Sequence, residues 1–70
     1  MSKIIGVDND GYGYMGVGTK LDGGIIDHIT NNSRDYPDHL NTIIDFYDKD
    51  NNILASIIDK RVTIFYDKPE

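Results

Sequence analysis

The residues most capable of chemistry lie in one short segment, Gly11-Tyr12-Gly13-Tyr14-Met15-Gly16, which matches G-x-G-x-x-G. Glycine-rich backbone lets N–H groups approach an anion closely, and tyrosines can stack on a base or donate a hydroxyl. In a dinucleotide-binding fold this loop opens a helix whose N-terminus receives the pyrophosphate. Here Val17-Gly18-Thr19-Lys20 runs straight into Asp22-Gly23-Gly24, which leaves no room for that helix. A looser anion site survives, built from Gly11, Tyr12, Gly13, Tyr14 and Gly16, with Lys20, Arg34 and Arg61 as candidate cations. The competing structural reading is a tightly packed hairpin whose glycines relieve crowding between layers.

Other constellations carry less. Asp48-x-Asp50-x-Asn52, with Asp59 at the twelfth position, follows the ligand spacing of a calcium-binding helix–loop–helix. Its sixth position is Ile53, however, where that loop needs glycine, and its flanks read as strands. Asp8-x-Asp10 is a shorter acidic turn. Turn-forming Asp and Asn account for both, so no metal is expected. There is no Cys, and Ser2, Ser33 and Ser56 sit in no nucleophile setting. Asp27 and His28 are adjacent, so on a strand they face opposite sides. Asp35, Asp38 and His39 read as a solvated loop. These residues predict a binding protein without catalytic activity or cofactor.

Size and charge bound the rest. Seventy residues make a single domain, 1–70. Such a chain buries only roughly 60% of its unfolded surface. Small domains commonly add disulfides, a metal or a partner chain. Without Cys, self-association is the economical way to enlarge the core, and a homo-oligomer is expected. The net charge is −5, and the bases are scattered apart from Lys60-Arg61. Phosphate backbones need clustered Lys and Arg, so direct nucleic-acid binding is not expected. An acidic surface fits a basic cleft on another protein, or simply keeps a small protein soluble. Lys3-Ile4-Ile5-Gly6-Val7 is shorter than the roughly 7–15 apolar residues of a signal-peptide core. No run approaches the roughly 18 apolar residues of a spanning helix. The expectation is a cytoplasmic protein with no membrane contact.

The elements that must position these residues are strands. Eleven of the twelve acids are Asp, and there are eleven Ile, six Asn and seven Gly against one Ala. Ile, Val, Thr, Tyr and Phe favour strands, while Asp, Asn and Gly favour turns. Strands are predicted over 3–7, 12–18 and 25–30, with turns at Asp8–Gly11 and Asp22-Gly23-Gly24. Residues 31–38 read as a loop. Leu40, Ile43, Ile44 and Tyr47 form a helical stripe, yet Thr42–Tyr47 is dense in β-formers. A strand there and one short helix at 37–48 both stay open. Phe46-Tyr47-Asp48-Lys49 echoes in Phe65-Tyr66-Asp67-Lys68, around the apolar run 53–58. That arrangement suits the first and third strands of a C-terminal β-meander. Because 53–58 offers hydrophobes to both faces, a second layer or a partner subunit must cover it.

The fold class read from the sequence is therefore all-β, or a β-rich α+β domain: a small antiparallel sandwich or barrel of about five to six strands. Two function classes follow. The first, which the Gly/Tyr segment favours narrowly, is an oligomer that sequesters a small anionic or nucleotide-like ligand. The second is an acidic protein–protein inhibitor or adaptor that occupies a basic site on a larger partner. In size and composition the chain is similar to the small accessory proteins of phages and mobile elements, some of which counter host defences.

Overall fold

The structure is a computed structural model that describes residues 3–32 and 42–68. Among the described residues eight strands follow one another: β1 (Ile4–Asn9), β2 (Gly13–Gly16), β3 (Lys20–Leu21), β4 (Gly24–Ile25), β5 (His28–Asn31), β6 (Thr42–Tyr47), β7 (Ile53–Asp59) and β8 (Val62–Tyr66). They form an antiparallel sheet β2-β1-β8, a two-stranded β3-β4 hairpin and an antiparallel sheet β5-β6-β7. The all-β reading holds, and the barrel does not close. The described residues contain no helix. None therefore offers a helix long and apolar enough to cross a membrane.

Period-two alternation explains how the two larger sheets share one core. In β6, Ile44 and Phe46 point inward and are fully buried, while Asp45 between them points outward beside Thr30 and Ser56. Only a strand sorts these residues in this way, so over Thr42–Tyr47 the alternative helix gives way to β6. Residues 37–41 of that alternative lie outside the described residues. Ile29 and Ile57 flank Phe46 and Ile44 on the same inner face. Val7, with Met15 and Ile64 on its neighbouring strands, supplies the facing layer, and Ile26 closes the core from the β4–β5 link.

Strand partnership differs from the sequence expectation in two places. The third N-terminal strand, β5, leaves β1 and β2 and pairs with β6. The C-terminal strand, β8, leaves β7 and pairs with β1 over Ile4–Asn9. The meander is therefore β5-β6-β7, one strand earlier than predicted. Each half of the chain gives one strand to the other, which closes the sandwich through contacts distant in sequence.

The turns carry their own locks. Asp22-Gly23 joins β3 to β4, with Gly23 at φ +97°. In the β6–β7 loop, Asp48 Oδ1 accepts hydrogen bonds from the amides of Asp50 (2.8 Å) and Asn52 (2.9 Å), while Asn51 adopts φ 65°. In the first hairpin the left-handed residue is Gly13, at φ +78°, rather than Gly11.

Gly6 and Gly16 are cross-strand partners, and the Tyr14 side chain lies over both. A Cβ at Gly6 would overlap the Tyr14 hydroxyl and ring. A Cβ at Gly16 would meet the Tyr14 hydroxyl at 2.6 Å and the backbone oxygen of Ile5 at 2.9 Å. An aromatic ring covering glycines in this way restores packing that the glycines alone lack. The two sites have different obstacles, and substitution separates them. Gly6→Ala is expected to destabilise the fold by about 1–3 kcal/mol, as overpacking does. Most of that loss disappears in a Tyr14→Ala background, because the displaced ring is gone. Gly16→Ala keeps the part of its penalty set by the Ile5 carbonyl in both backgrounds, since backbone does not move aside. Urea unfolding of the four single and double variants measures this directly.

Candidate functional site

The outer face of the β2-β1-β8 sheet is built from two rows. Tyr14, Asp8 and Thr63 lie side by side in one, and Gly16, Gly6 and Phe65 in the next. Tyr14 reaches diagonally across the glycines and meets Phe65 edge-on, with ring centroids 5.8 Å apart at 62°. Side chains on these rows alternate away from Val7, Met15 and Ile64, so the core gains nothing from them. Tyr14 remains 58% exposed and Phe65 41%. Tyr12 stands in the adjoining turn and is 72% exposed. The Asp8 carboxyl is solvent-exposed beside Tyr14. The result is an aromatic surface with a carboxylate next to it, on a floor with no side chains.

At one end of this face a single buried side chain organises two turns. Asn9 is 2% exposed. Its Oδ1 accepts from the amides of Gly11 (2.9 Å) and Tyr12 (3.2 Å). Its Nδ2 donates to Asp59 Oδ2 (2.9 Å) and to the Arg61 carbonyl (3.2 Å). These bonds join the β1–β2 turn to the β7–β8 turn. Sequence reading treated Asn9 as an ordinary turn residue. The available signal was that Asn can bond its own backbone two residues on.

The predicted site residues are only partly brought together. Gly11, Tyr12, Gly13, Tyr14 and Gly16 are contiguous in one hairpin. Arg61 comes near its turn, with Nη1 3.9 Å from Asp10 Oδ2. Lys20 belongs to the separate β3–β4 hairpin, where it pairs with Ile25. Arg34 lies outside the described residues. Within the hairpin the amides are largely engaged: Gly11 and Tyr12 with Asn9, Gly16 with Thr19 Oγ1, Val17 with the Ile5 carbonyl, Gly18 with the Ile26 carbonyl. Those are the groups an anion would need.

A cleft of ≈ 470 Å³ between the β3–β4 hairpin and the β6–β7 loop is lined by Asp27, Asp48 and Asp50 and by Lys49. His28 stands beside it, its Nδ1 3.0 Å from Asp27 Oδ2 and its ring stacked on Tyr47 at 4.8 Å. Asp48 and Asp59, the outer members of the calcium-like spacing, sit at opposite ends of the seven-residue β7, roughly 20 Å of strand. They do not converge on one ion. On the outer face of β5-β6-β7, Asp45 accepts from Ser56 Oγ (2.6 Å) and from Asn32 Nδ2. The Ser56 hydroxyl thus donates to the Asp45 carboxylate.

Two carboxyls titrate below their ordinary range. The hydrogen bond from the Asn9 side chain holds Asp59 down, helped by the Arg61 amide. The Asn52 amide does the same for Asp48. A carboxyl with a depressed folded-state pKa contributes stability above its unfolded value, near 3.8, and loses it as pH falls through the folded value. Stability is therefore expected to fall on acidification below about pH 4. Asp59→Asn, which keeps an acceptor and a donor without a titrating group, flattens that limb. Thermal melts between pH 2 and 7 check it.

No family model, curated protein or solved structure matches the chain.

Proposed function

We propose that this protein is a non-enzymatic binding module that engages a basic site on a larger protein through the Tyr14–Phe65 face. The observation that carries the reading is an exposed aromatic pair on a glycine floor, with the Asp8 carboxylate beside Tyr14. An Arg or Lys side chain from a partner is attracted to the ring face and to the carboxylate together. Tyrosine is also enriched among residues that dominate binding energy at protein interfaces. The net charge of −5 steers such a partner towards the module. The protein acts as an inhibitor or adaptor by covering that basic site. A cytoplasmic setting, in keeping with the absence of Cys, belongs to the same proposal.

The geometry favours this over capture of a small anion by the glycine-rich hairpin. Amides that would cradle an anion are already bonded within the fold, and Asp8, Asp10 and Asp59 surround the turn. The two readings separate in an NMR titration of the full chain. One arm adds a short arginine-rich peptide and the other a panel of nucleotides. The peptide is expected to shift the amides of Gly6, Asp8, Tyr14 and Phe65, and to lose affinity as salt rises. Tyr14→Ala is expected to weaken it by about 10–30-fold, the loss typical of a hot-spot residue. Nucleotide-induced shifts over 11–18, with no response to the peptide, would establish the small-anion reading instead.

A further inference from the structure

The free edge of β7 supports a second interaction, independent of the aromatic face. Strands at sheet edges present unpaired backbone groups, and proteins usually protect them with Lys, Pro or short length. β7 has no Lys, no Pro and no short length to protect it; one register irregularity at Leu54 is its single interruption. It is the longest of the described strands, Ile53–Asp59, and Ile53-Leu54-Ala55-Ser56-Ile57-Ile58 carries no charge and no proline. Among the described residues it pairs only with β6. Ile57 turns into the core, but Ile53 (60% exposed) and Ile58 (57%) stand on the outer face. Nothing in the described fold covers these two isoleucines.

The flanks of β7 identify the occupant. Before the strand, the loop carries Asp48, Lys49 and Asp50, an excess of acid. After it, Asp59-Lys60-Arg61 carries an excess of base, and Asp59 is already engaged by Asn9. Antiparallel pairing reverses one strand against the other. Two copies of β7 therefore place the acidic flank of each against the basic flank of its mate. We propose that β7 pairs with β7 of a second copy about a twofold axis at Ser56, so that outward-facing Ser56 meets its own copy. The β5-β6-β7 sheet then continues across both subunits. Leu54 is an extra residue in the register of β7 against β6, between Ala55 opposite Phe46 and Ile53 opposite Tyr47; across it Ile58 lies opposite the partner's Ile53, and Lys60 and Arg61 approach the partner's Asp50. A twofold contact is self-complementary by construction, and an apolar strand with opposite charges at its two ends meets that requirement.

Sedimentation of the full chain across a concentration series tests this. Wild type is expected to reach twice its 7.9 kDa chain mass. Ile58→Lys, at an exposed position, is expected to raise the dimer dissociation constant by about 100-fold while far-UV circular dichroism stays unchanged. Asp50→Lys is expected to raise it by about tenfold. Adding Lys60→Asp to Asp50→Lys exchanges the charges of both flanks and is expected to restore association. A wild-type monomer at high concentration overturns the proposal. So does a dimer that Ile58→Lys leaves intact, or a charge exchange that fails to recover what Asp50→Lys lost.

Discussion

Replacing Asn9 with Ala is expected to destabilise the protein by about 2–4 kcal/mol, although a single exchange in a turn is usually tolerated. An Asn side chain has two donors and two acceptor sites, and this one has four partners. Truncation leaves the Gly11 amide and the Arg61 carbonyl to find water at a place where Asn9 itself is almost fully covered. The Tyr12 amide keeps its bond to the Asn9 carbonyl, which limits the loss. The larger consequence is mechanical. Asn9 ties the end of β1 to the β7–β8 turn, where the chain passes from one sheet to the other.

Exchange of the pair distinguishes hydrogen bonding from shape. Asn9→Asp keeps the acceptor for Gly11 and Tyr12 but sets two carboxylates against each other. It should be destabilised at neutral pH and recover partly on acidification, when one proton serves both. Asn9→Asp combined with Asp59→Asn again places a donor opposite an acceptor, and is expected to regain most of the loss. Urea midpoints followed by tyrosine fluorescence give the coupling between the two positions. Equal losses in the single and exchanged variants would mean that volume, not hydrogen bonding, holds the two turns together.

The legible and illegible parts of this fold divide along one physical line. Local chemistry was legible: Asp22-Gly23 makes a turn and Asp48–Asn52 a loop, and the β-branched runs make strands. Strand partnership was not, because a hydrophobic pattern states which face is inward without naming the neighbour. So β5 and β8 exchanged sheets without any change in their own residues. The Gly/Tyr segment shows the same limit. Gly16 was visible as part of a motif, but the residue that explains it, Gly6, is its partner on β1. A phosphate-loop pattern and a tyrosine lying on two glycines share the same letters.

The repeated Phe-Tyr-Asp-Lys segments carry that argument to its largest effect. Phe46 and Phe65 stand in identical tetrapeptides and end strands of similar composition. Phe46 follows Ile44 on the inner face of β6 and is fully buried between Ile29 and Ala55. Phe65 falls one step from Ile64, which faces Val7 in the core, and so emerges on the outside against Tyr14. A shift of one residue in a period of two puts the two phenylalanines on opposite faces of their sheets. Phe46→Ala is therefore expected to cost about 3–5 kcal/mol, which equals the roughly 3–5 kcal/mol that a core of this size supplies. The variant should show no cooperative urea transition. Phe65→Ala removes an exposed ring and is expected to change stability by less than about 1 kcal/mol, while weakening the basic-peptide interaction at Tyr14. If both variants unfolded alike, the outer aromatic pair would be part of what holds the sandwich together, and the surface assigned to partner binding would lose its independence from the core.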